Sequence, residues 1–402
     1  MKRQNDLNTL IGNPAVLKQV NKVRLLNRLR LSGTMSRADL ARVTGLDAKT
    51  VTNICNSLLS DGLLACAEAK AKGRGRPPEN IVIHGEAAFS IGIDIGATQV
   101  SAVLIDLAGK IVRQTRSDFG KCKDGEFLVG KATEIVNEIT NSISSKNKKK
   151  ISGIGVCIPG FLDREAGIVH DSVNIANLKG FPVCEVLNKT SGLPVLLEEA
   201  SRSMAIGEIW FTQHWADSDF ISVDMGFGIG VGIVHNGLLY RGAHERSGEI
   251  GHTVVVNGGA KCSCGKQGCL ETVVSGFALE EHAKRLGLSS SKFFGGKALF
   301  DAAQQGNAEA QKELNKAGFY IGLAIANMIN LFDPSLVILN GGLIKAGEHV
   351  LEQLKNSVKE HSISRNGAVC KIEVSGLGDY AGSLGAAMLG FKHFFEFKNI
   401  RL

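Results

Sequence analysis

Between Gly248 and Glu271 the chain reads GEIGHTVVVNGGAKCSCGKQGCLE. His252 is followed by Cys262, Cys264 and Cys269. One imidazole nitrogen and three thiolates form a donor set that a borderline-soft, tetrahedral Zn2+ prefers. With four protein donors no coordination position is left open, so the spacing predicts a closed, structural zinc site and not a hydrolytic one. Glu249 and Glu271 flank the site, are not needed to complete it, and are free to face something else. The bland alternative is a set of reduced cysteines buried without metal. A CxC pair and a third Cys so close to a His is a dense arrangement for a chain with nine cysteines.

The elements that must position this stretch belong to a chain of 402 residues, long enough for two or three domains. No run approaches the ~20 apolar residues of a membrane span. The opening MKRQNDLNTL lacks the apolar core of a secretory signal. Cys55, Cys66, Cys122, Cys157, Cys184 and Cys370 show no paired spacing, which predicts a reducing, cytoplasmic setting. Charge is unevenly spread. Residues 1–84 carry 14 Lys and Arg against 6 Asp and Glu, whereas the remainder carries 32 against 33. That asymmetry points to a nucleic-acid-binding segment joined to a neutral body.

Within the basic segment, residues 12–33 read as a helix, with Val16, Val20, Val23, Leu26 and Leu29 at three- or four-residue steps and Gly33 as the stop. Ser36 caps a short helix, SRADLARVTG, whose buried face is marked by Leu40 and Val43 and which closes at Gly45. Asp47 caps the next, DAKTVTNICNSLLSDG. Here Val51, Ile54, Leu58 and Leu59 face inward, and Lys49, Thr50, Thr52, Asn53 and Asn56 face outward. Two short helices about a glycine turn, the second polar outside, predict a helix-turn-helix that grips double-stranded DNA. Ser36 and Arg37 at the start of the first helix join the second helix's polar row as candidate contacts. Leu63–Ala69 and Ile81–His84 are expected to pair as a wing. The loop between them carries Lys72, Arg74 and Arg76. Either it lies in a narrow minor groove in the manner of an AT-hook core, or it touches phosphates only.

From residue 88 strands and helices alternate, which predicts an α/β body, two-lobed with a cleft. Two strand-like runs flank Asp94-Ile-Gly96-Ala-Thr98, a pattern similar to the phosphate loop of sugar kinases with an actin-like ATPase fold. Further runs are ISGIGVCIPG, PVLLEEASRSMAIGEIWF and FISVDMGFGIGVGIVH, followed by helices that end at Asp333–Pro334, a strand SLVILN and two final helices. The expected division is a winged helix-turn-helix over 1–85, a first lobe over 86–195, and a second lobe over 196–402 whose last helix packs back on the first.

Over essentially its whole length the chain resembles the ROK family of repressors and sugar kinases, nearest in pattern to its xylose-type and N-acetylglucosamine-type repressors. The residues that carry the resemblance are 94–98, 158–160, Gly226-Phe-Gly-Ile-Gly230, Gly248-Glu-Ile-Gly-His252, Cys262-x-Cys264-Gly, Gly268-Cys-Leu-Glu271, and Asp333-Pro334 before Asn340-Gly-Gly342. The resemblance implies that Glu249, His252 and Glu271 bind sugar hydroxyls, with Gly160 and Glu199 on the same site. It also implies that Asp94, Gly96, Thr98, Gly226 and Gly228 belong to nucleotide loops. Two departures stand out. Where family kinases carry Glu-Asn-Asp-Ala-Asn, with the Asp as general base, this chain has Glu198-Glu199-Ala200-Ser201-Arg202, so the base position falls on Ala200; a one-residue shift would offer Glu199 instead. Phe227 also replaces the hydroxyl residue of the kinase Gly-Thr-Gly loop.

The expectation is a sugar-responsive DNA-binding regulator, a repressor, acting as a homodimer or homotetramer with a sugar or sugar phosphate as effector, and not an enzyme. Two alternatives stand beside it. One is an ATP-dependent sugar kinase with an added DNA-binding domain and Glu199 as base. The other is a sensor whose effector is a protein.

Overall fold

The computed structural model describes residues 14–67, 80–120, 123–212, 219–288, 296–363 and 370–395. The expected groove or phosphate contacts Lys72, Arg74 and Arg76 lie outside the described residues.

Helix α1 (Pro14–Ser32) buries Val23, Leu25, Leu26 and Leu29. Helix α2 (Arg37–Thr44) begins where Ser36 accepts from the Asp39 N–H at 3.1 Å, and Gly45 closes it in the left-handed conformation. Helix α3 (Ala48–Ser60) is capped by Asp47, which accepts from the Thr50 N–H at 2.9 Å. It buries Val51, Ile54, Cys55 and Leu58 and leaves Lys49, Asn53 and Asn56 exposed, with Thr50 and Thr52 half-buried. Arg37 reaches Asn56 at 3.1 Å, tying the start of α2 to the outer row of α3. Val43, expected on the buried face of α2, is exposed instead; Thr44 takes the inner position and donates its hydroxyl to the Leu40 carbonyl. A threonine that satisfies its hydroxyl within its own helix can be buried like the valine it matches in shape. Strands β1 (Thr34–Ser36), β2 (Leu64–Ala67) and β3 (Asn80–Ile83) form an antiparallel sheet in the order β1-β3-β2.

The first body sheet comprises β4 (Phe89–Ile95), β5 (Gln99–Asp106), β6 (Ile111–Asp118), β7 (Ile151–Ile158) and a strand at Val195–Glu199. Every residue of β4 is buried, because α4 (Gly125–Asn141) packs on one side of the sheet and a C-terminal helix on the other. A small hairpin of β8 (Phe161–Asp163) and β9 (Ile168–Asp171) follows β7, then α5 (Val183–Ser191) leads to the strand Val195–Glu199, here β10, and to α6 (Ala200–Phe211). β10 pairs in parallel with β7 over its full length. It therefore belongs wholly to the first sheet, and the expected boundary at 195/196 cuts through it.

The second sheet comprises β11 (Phe220–Met225), β12 (Ile229–His235), β13 (Leu238–Tyr240), β14 (Leu336–Asn340) and β15 (Lys371–Val374). Its order, β13-β12-β11-β14-β15, mirrors the first sheet's β6-β5-β4-β7-β10, with parallel and antiparallel pairings in the same places. The two lobes are thus one topology used twice. Helices α7 (Gly276–Arg285), α8 (Lys297–Gln304), α9 (Ala308–Phe332) and α10 (Glu348–His361) supply the second lobe's core.

Helix α11 (Ala381–Gly390) lies against β4, β7 and α6, and a single turn, α12 (Lys392–Phe395), ends the described chain. The approach of α11 is as close as glycine permits. A Cβ on Gly385 would stand 1.7 Å from the Ser203 carbonyl, and one on Gly155 would stand 1.7 Å from that of Ala386. One buried core then joins Leu25, Leu26 and Leu29 of α1 to Ile206 of α6 and to Leu384, Phe391 and Phe395. The N-terminal module is fused to the body through apolar packing, not tethered to it.

Candidate functional site

The ligand atoms of His252, Cys262, Cys264 and Cys269 lie within 4.8 Å of one another. Cys262 Sγ is 3.6 Å from His252 Nδ1, and Cys264 Sγ is 3.7 Å from Cys269 Sγ. A tetrahedral ion with Zn–S near 2.3 Å and Zn–N near 2.0–2.1 Å would set such neighbours roughly 3.6–3.8 Å apart. The cluster can therefore chelate a metal. Burial and the adjoining Cys264 and Cys262 sulfurs push the Cys269 thiol up to about 12, so crowded thiolates without a cation would be costly. The loop is braced by its own backbone. Cys262 N–H donates to the Lys266 carbonyl at 2.7 Å, and Lys266 Nζ donates to the His252 carbonyl at 2.8 Å. Use of Nδ1 on the cluster leaves the other nitrogen of the ring free, and the ring lines the cleft.

That cleft is a cavity of about 790 Å3 between the lobes. Its wall brings together Gly160, Glu199, Glu249, His252 and Glu271 with Asp94, Gly96, Thr98, Gly226 and Gly228. Every cleft residue singled out from the sequence thus lines the one cavity. Ser36, Arg37, Lys49, Thr50, Thr52, Asn53 and Asn56 lie at the end of β1 and on α2 and α3, and none of them lines the cleft.

Asn174 and Asp224 are among the cleft residues not foreseen. Asn174 follows β9 in a stretch with no regular spacing; a Cβ on Gly228 would stand 2.7 Å from its Nδ2 and 2.9 Å from Glu271 Oε2, so two polar groups converge on that bare glycine. Asp224 is the next-to-last residue of β11, two residues before Gly226, as Asp94 is the next-to-last of β4, two residues before Gly96. That repeated Asp-x-Gly is the signal that would have found it.

The cleft is electrostatically tense. Burial, with Glu199 and Asp94 nearby, pushes Asp224 up to about 8. Burial and the Glu199 charge push Glu249 up to about 7, against the pull of Arg202. Burial likewise raises Asp94 and Glu199. Glu199 sits at the junction of β10 and α6, where its two oxygens accept from the Ser201 and Arg202 N–H groups, each at 3.0 Å. Ala200 opens α6 and presents only a methyl group to the cavity. Phe227 stands edge-on to Phe277 at 5.3 Å, and both pack against the first lobe's core.

Behind the cleft lies an ion cluster that sequence spacing did not announce. Glu198 is fully buried and meets Arg241 at 2.7 Å, Arg202 at 3.1 Å and Arg164 at 3.3 Å. Glu245 pairs with Arg164 and Arg241 in turn. The cluster ties α6, the β8–β9 turn and the loop before Gly248 together. Burial alone would raise Glu198, but Arg241, Arg164 and Arg202 outweigh it and hold the carboxyl at about 2. A lowered carboxyl stabilises the fold above its unfolded value, and that contribution is lost as pH falls. Glu198 should therefore lend stability that fades between the ordinary glutamate value of 4.5 and about 2. Glu198→Ala should cost about 3–5 kcal/mol, since it strands buried guanidinium groups. Denaturant titrations across that pH window test both statements: the Glu198→Gln chain should lose less stability on acidification than the unaltered one.

Comparison with known proteins follows the same lines. A family model described as the ROK family matches residues 90–392. The chain is 28% identical over 390 residues to a xylose repressor of Bacillus subtilis, covering 96% of this chain and 98% of that one. It is 32% identical over 313 residues to a glucokinase of Halalkalibacterium halodurans, covering 74% of this chain and 94% of that one. Among solved structures it is similar to a ROK family transcriptional regulator, a homolog of the Escherichia coli MLC protein, with a TM-score of 0.77 and 25% identity over 94% of this chain and 97% of that one.

Proposed function

The chain belongs to the ROK family, and from that premise we propose that it is a DNA-binding regulator of carbohydrate metabolism whose degenerate kinase cleft senses a sugar. The observation that carries this reading is the single core that joins α1 to α6 and α11, two helices that begin in the cleft wall. Similarity to a repressor over nearly its full length supports it. Among the described residues no helix is long and apolar enough to cross a membrane.

In this reading α2, α3 and the β1–β3 sheet are a winged helix-turn-helix, and α3 enters the major groove. Lys49 and Asn53 stand exposed near its start, where base-edge contacts are made. Asn53→Ala should cost about 1–3 kcal/mol of operator affinity and relax specificity at one base pair. Lys49→Ala should weaken binding to all sequences alike and reduce the log–log salt slope by about 1. Gel shifts at several salt concentrations separate the two. A homodimer or homotetramer would place two such helices a DNA turn apart.

His252, Cys262, Cys264 and Cys269 would hold a zinc ion with no position open to water, which braces the loop bearing Glu249 and Glu271. Those carboxylates, with Glu199 and the free nitrogen of His252, take up sugar hydroxyls. Phosphoryl transfer is not expected. Ala200 cannot accept a proton, and loss of a general base commonly costs 10²–10⁴ in rate. The decisive experiment is a gel shift on DNA from the gene's own promoter, with and without a panel of sugars, run beside an ADP-release assay. Failure to bind any fragment at low salt would refute the regulator. Turnover abolished by Glu199→Gln would favour a kinase.

A further inference from the structure

The cleft's charges are badly matched to an anion. Asp94, Glu199, Asp224, Glu249 and Glu271 all line it, and none of the five forms an ion pair among the described residues. The lysines and arginines on the described wall are Arg116, Lys297 and Lys345. Each is already committed: Arg116 to Asp118 at 2.8 Å, Lys297 to Asp301 at 2.6 Å, and Lys345 to Asp379 at 2.9 Å. Arg202 lies nearby, but it is engaged by Glu198 at 3.1 Å and by the Ser247 carbonyl at 3.4 Å. The glycine loop that would cradle a phosphate is itself faced by an acid, since a Cβ on Gly226 would stand 3.0 Å from Asp224 Oδ1.

We infer that the effector is an unphosphorylated sugar and that the cleft discriminates against its phosphate ester. This rests on the cleft being the sugar site, as proposed above. A neutral sugar offers hydroxyl donors to carboxylate acceptors and brings no charge. A phosphate ester adds about two negative charges to a partly desolvated acidic chamber with no uncommitted cation to meet them, and like charges so placed repel strongly. To admit it, the cleft must take up protons or break a rim ion pair, and either lowers its affinity.

The test is calorimetric titration of the full-length, zinc-loaded protein at about pH 8.5, above the raised values of Asp224 and Glu249. Matched pairs serve as probes: glucose and glucose 6-phosphate, N-acetylglucosamine and its 6-phosphate, xylose and xylose 5-phosphate. In any pair that binds, the free sugar should bind at least about tenfold more tightly. Added salt, and separately Asp224→Asn, should narrow that ratio. A phosphate ester that binds as well or better overturns this inference and leaves the sugar sensor standing, as does a ratio unmoved by both changes. Silence from every pair overturns the sensor and this inference together.

Discussion

Cys269→Ser is expected to release the metal and with it most of the sugar affinity. Cys269 is fully buried, and its backbone bridges to Val254, so it holds both the ion's position and the loop's fold. Structural zinc contributes about 10–16 kcal/mol of apparent binding energy in small domains at neutral pH, and three ligands retain only part of it. The loop joins His252 to Glu271 through Thr253 N–H, which donates to Ile250, and Leu270 N–H, which donates to Thr253. When it slackens, Glu249 and Glu271 lose their fixed separation. Sugar affinity should then fall by about 10–100-fold, the scale on which metal affinity or activity falls when groups that orient a metal site are lost. Operator binding at low salt should survive, because the core beneath the N-terminal helices contains none of the cluster. Metal content by elemental analysis, together with sugar titration, decides the matter. A metal-free chain that still binds sugar normally would sink it.

Arg30→Met is expected to leave sugar binding and DNA binding in place while disconnecting one from the other. Arg30 is half-buried at the junction of module and body, where desolvation lowers its guanidinium to about 10. It lies 4.1 Å over the Trp210 ring and donates to the Trp210 carbonyl. Trp210 meets Phe395 edge-on at 4.9 Å, and Asn27 Nδ2 donates to the Phe395 carbonyl at 3.4 Å. Trp210 lies near the end of α6, the helix whose start is capped by Glu199 in the cleft, and a helix of that length spans roughly 18 Å. Helix α11 runs alongside from Ala381 and Gly382 in the cleft wall to Phe391. With glycine contacts that close, α6 and α11 must move as one block. Met fills much of the buried volume of Arg without the charge, the hydrogen bond or the cation–π contact. Couplings between sites are typically 5–150-fold in affinity, and here the sugar's effect on operator affinity should fall to nearly none. Paired operator titrations, with and without the sugar, measure it. An undiminished sugar response would show that the signal travels elsewhere.

Much of this was legible in the residues. Ser36 and Asp47 cap the helices they precede because their side chains satisfy backbone N–H groups that no helix can satisfy for itself. The His252, Cys262, Cys264 and Cys269 cluster could be read from spacing because a tight loop brings near neighbours together whatever surrounds it. The Asp94 loop lies between two paired strands for the same local reason. Glu198 could not be read this way. Its partners Arg164 and Arg241 are distant in the chain, and nothing in VLLEEAS marks one glutamate for the ion cluster and the next for the cleft. Alternation along a strand sends successive side chains to opposite faces, but which face meets which neighbour depends on the sheet around it.

The sequence by itself determined the local chemistry: where helices start, which residues can bind a metal, and which end of the chain is basic. Tertiary structure alone decided that two five-stranded lobes repeat one topology, that β10 belongs to the first of them, and that Asn174 joins the cleft. It alone set Arg30 against Trp210, so that the N-terminal helices share a core with two helices that begin in the cleft wall. The division has one cause. Caps, turns and ligand loops are fixed by forces acting over a few residues, whereas lobes and junctions are fixed by apolar surface that can be buried only against partners far along the chain.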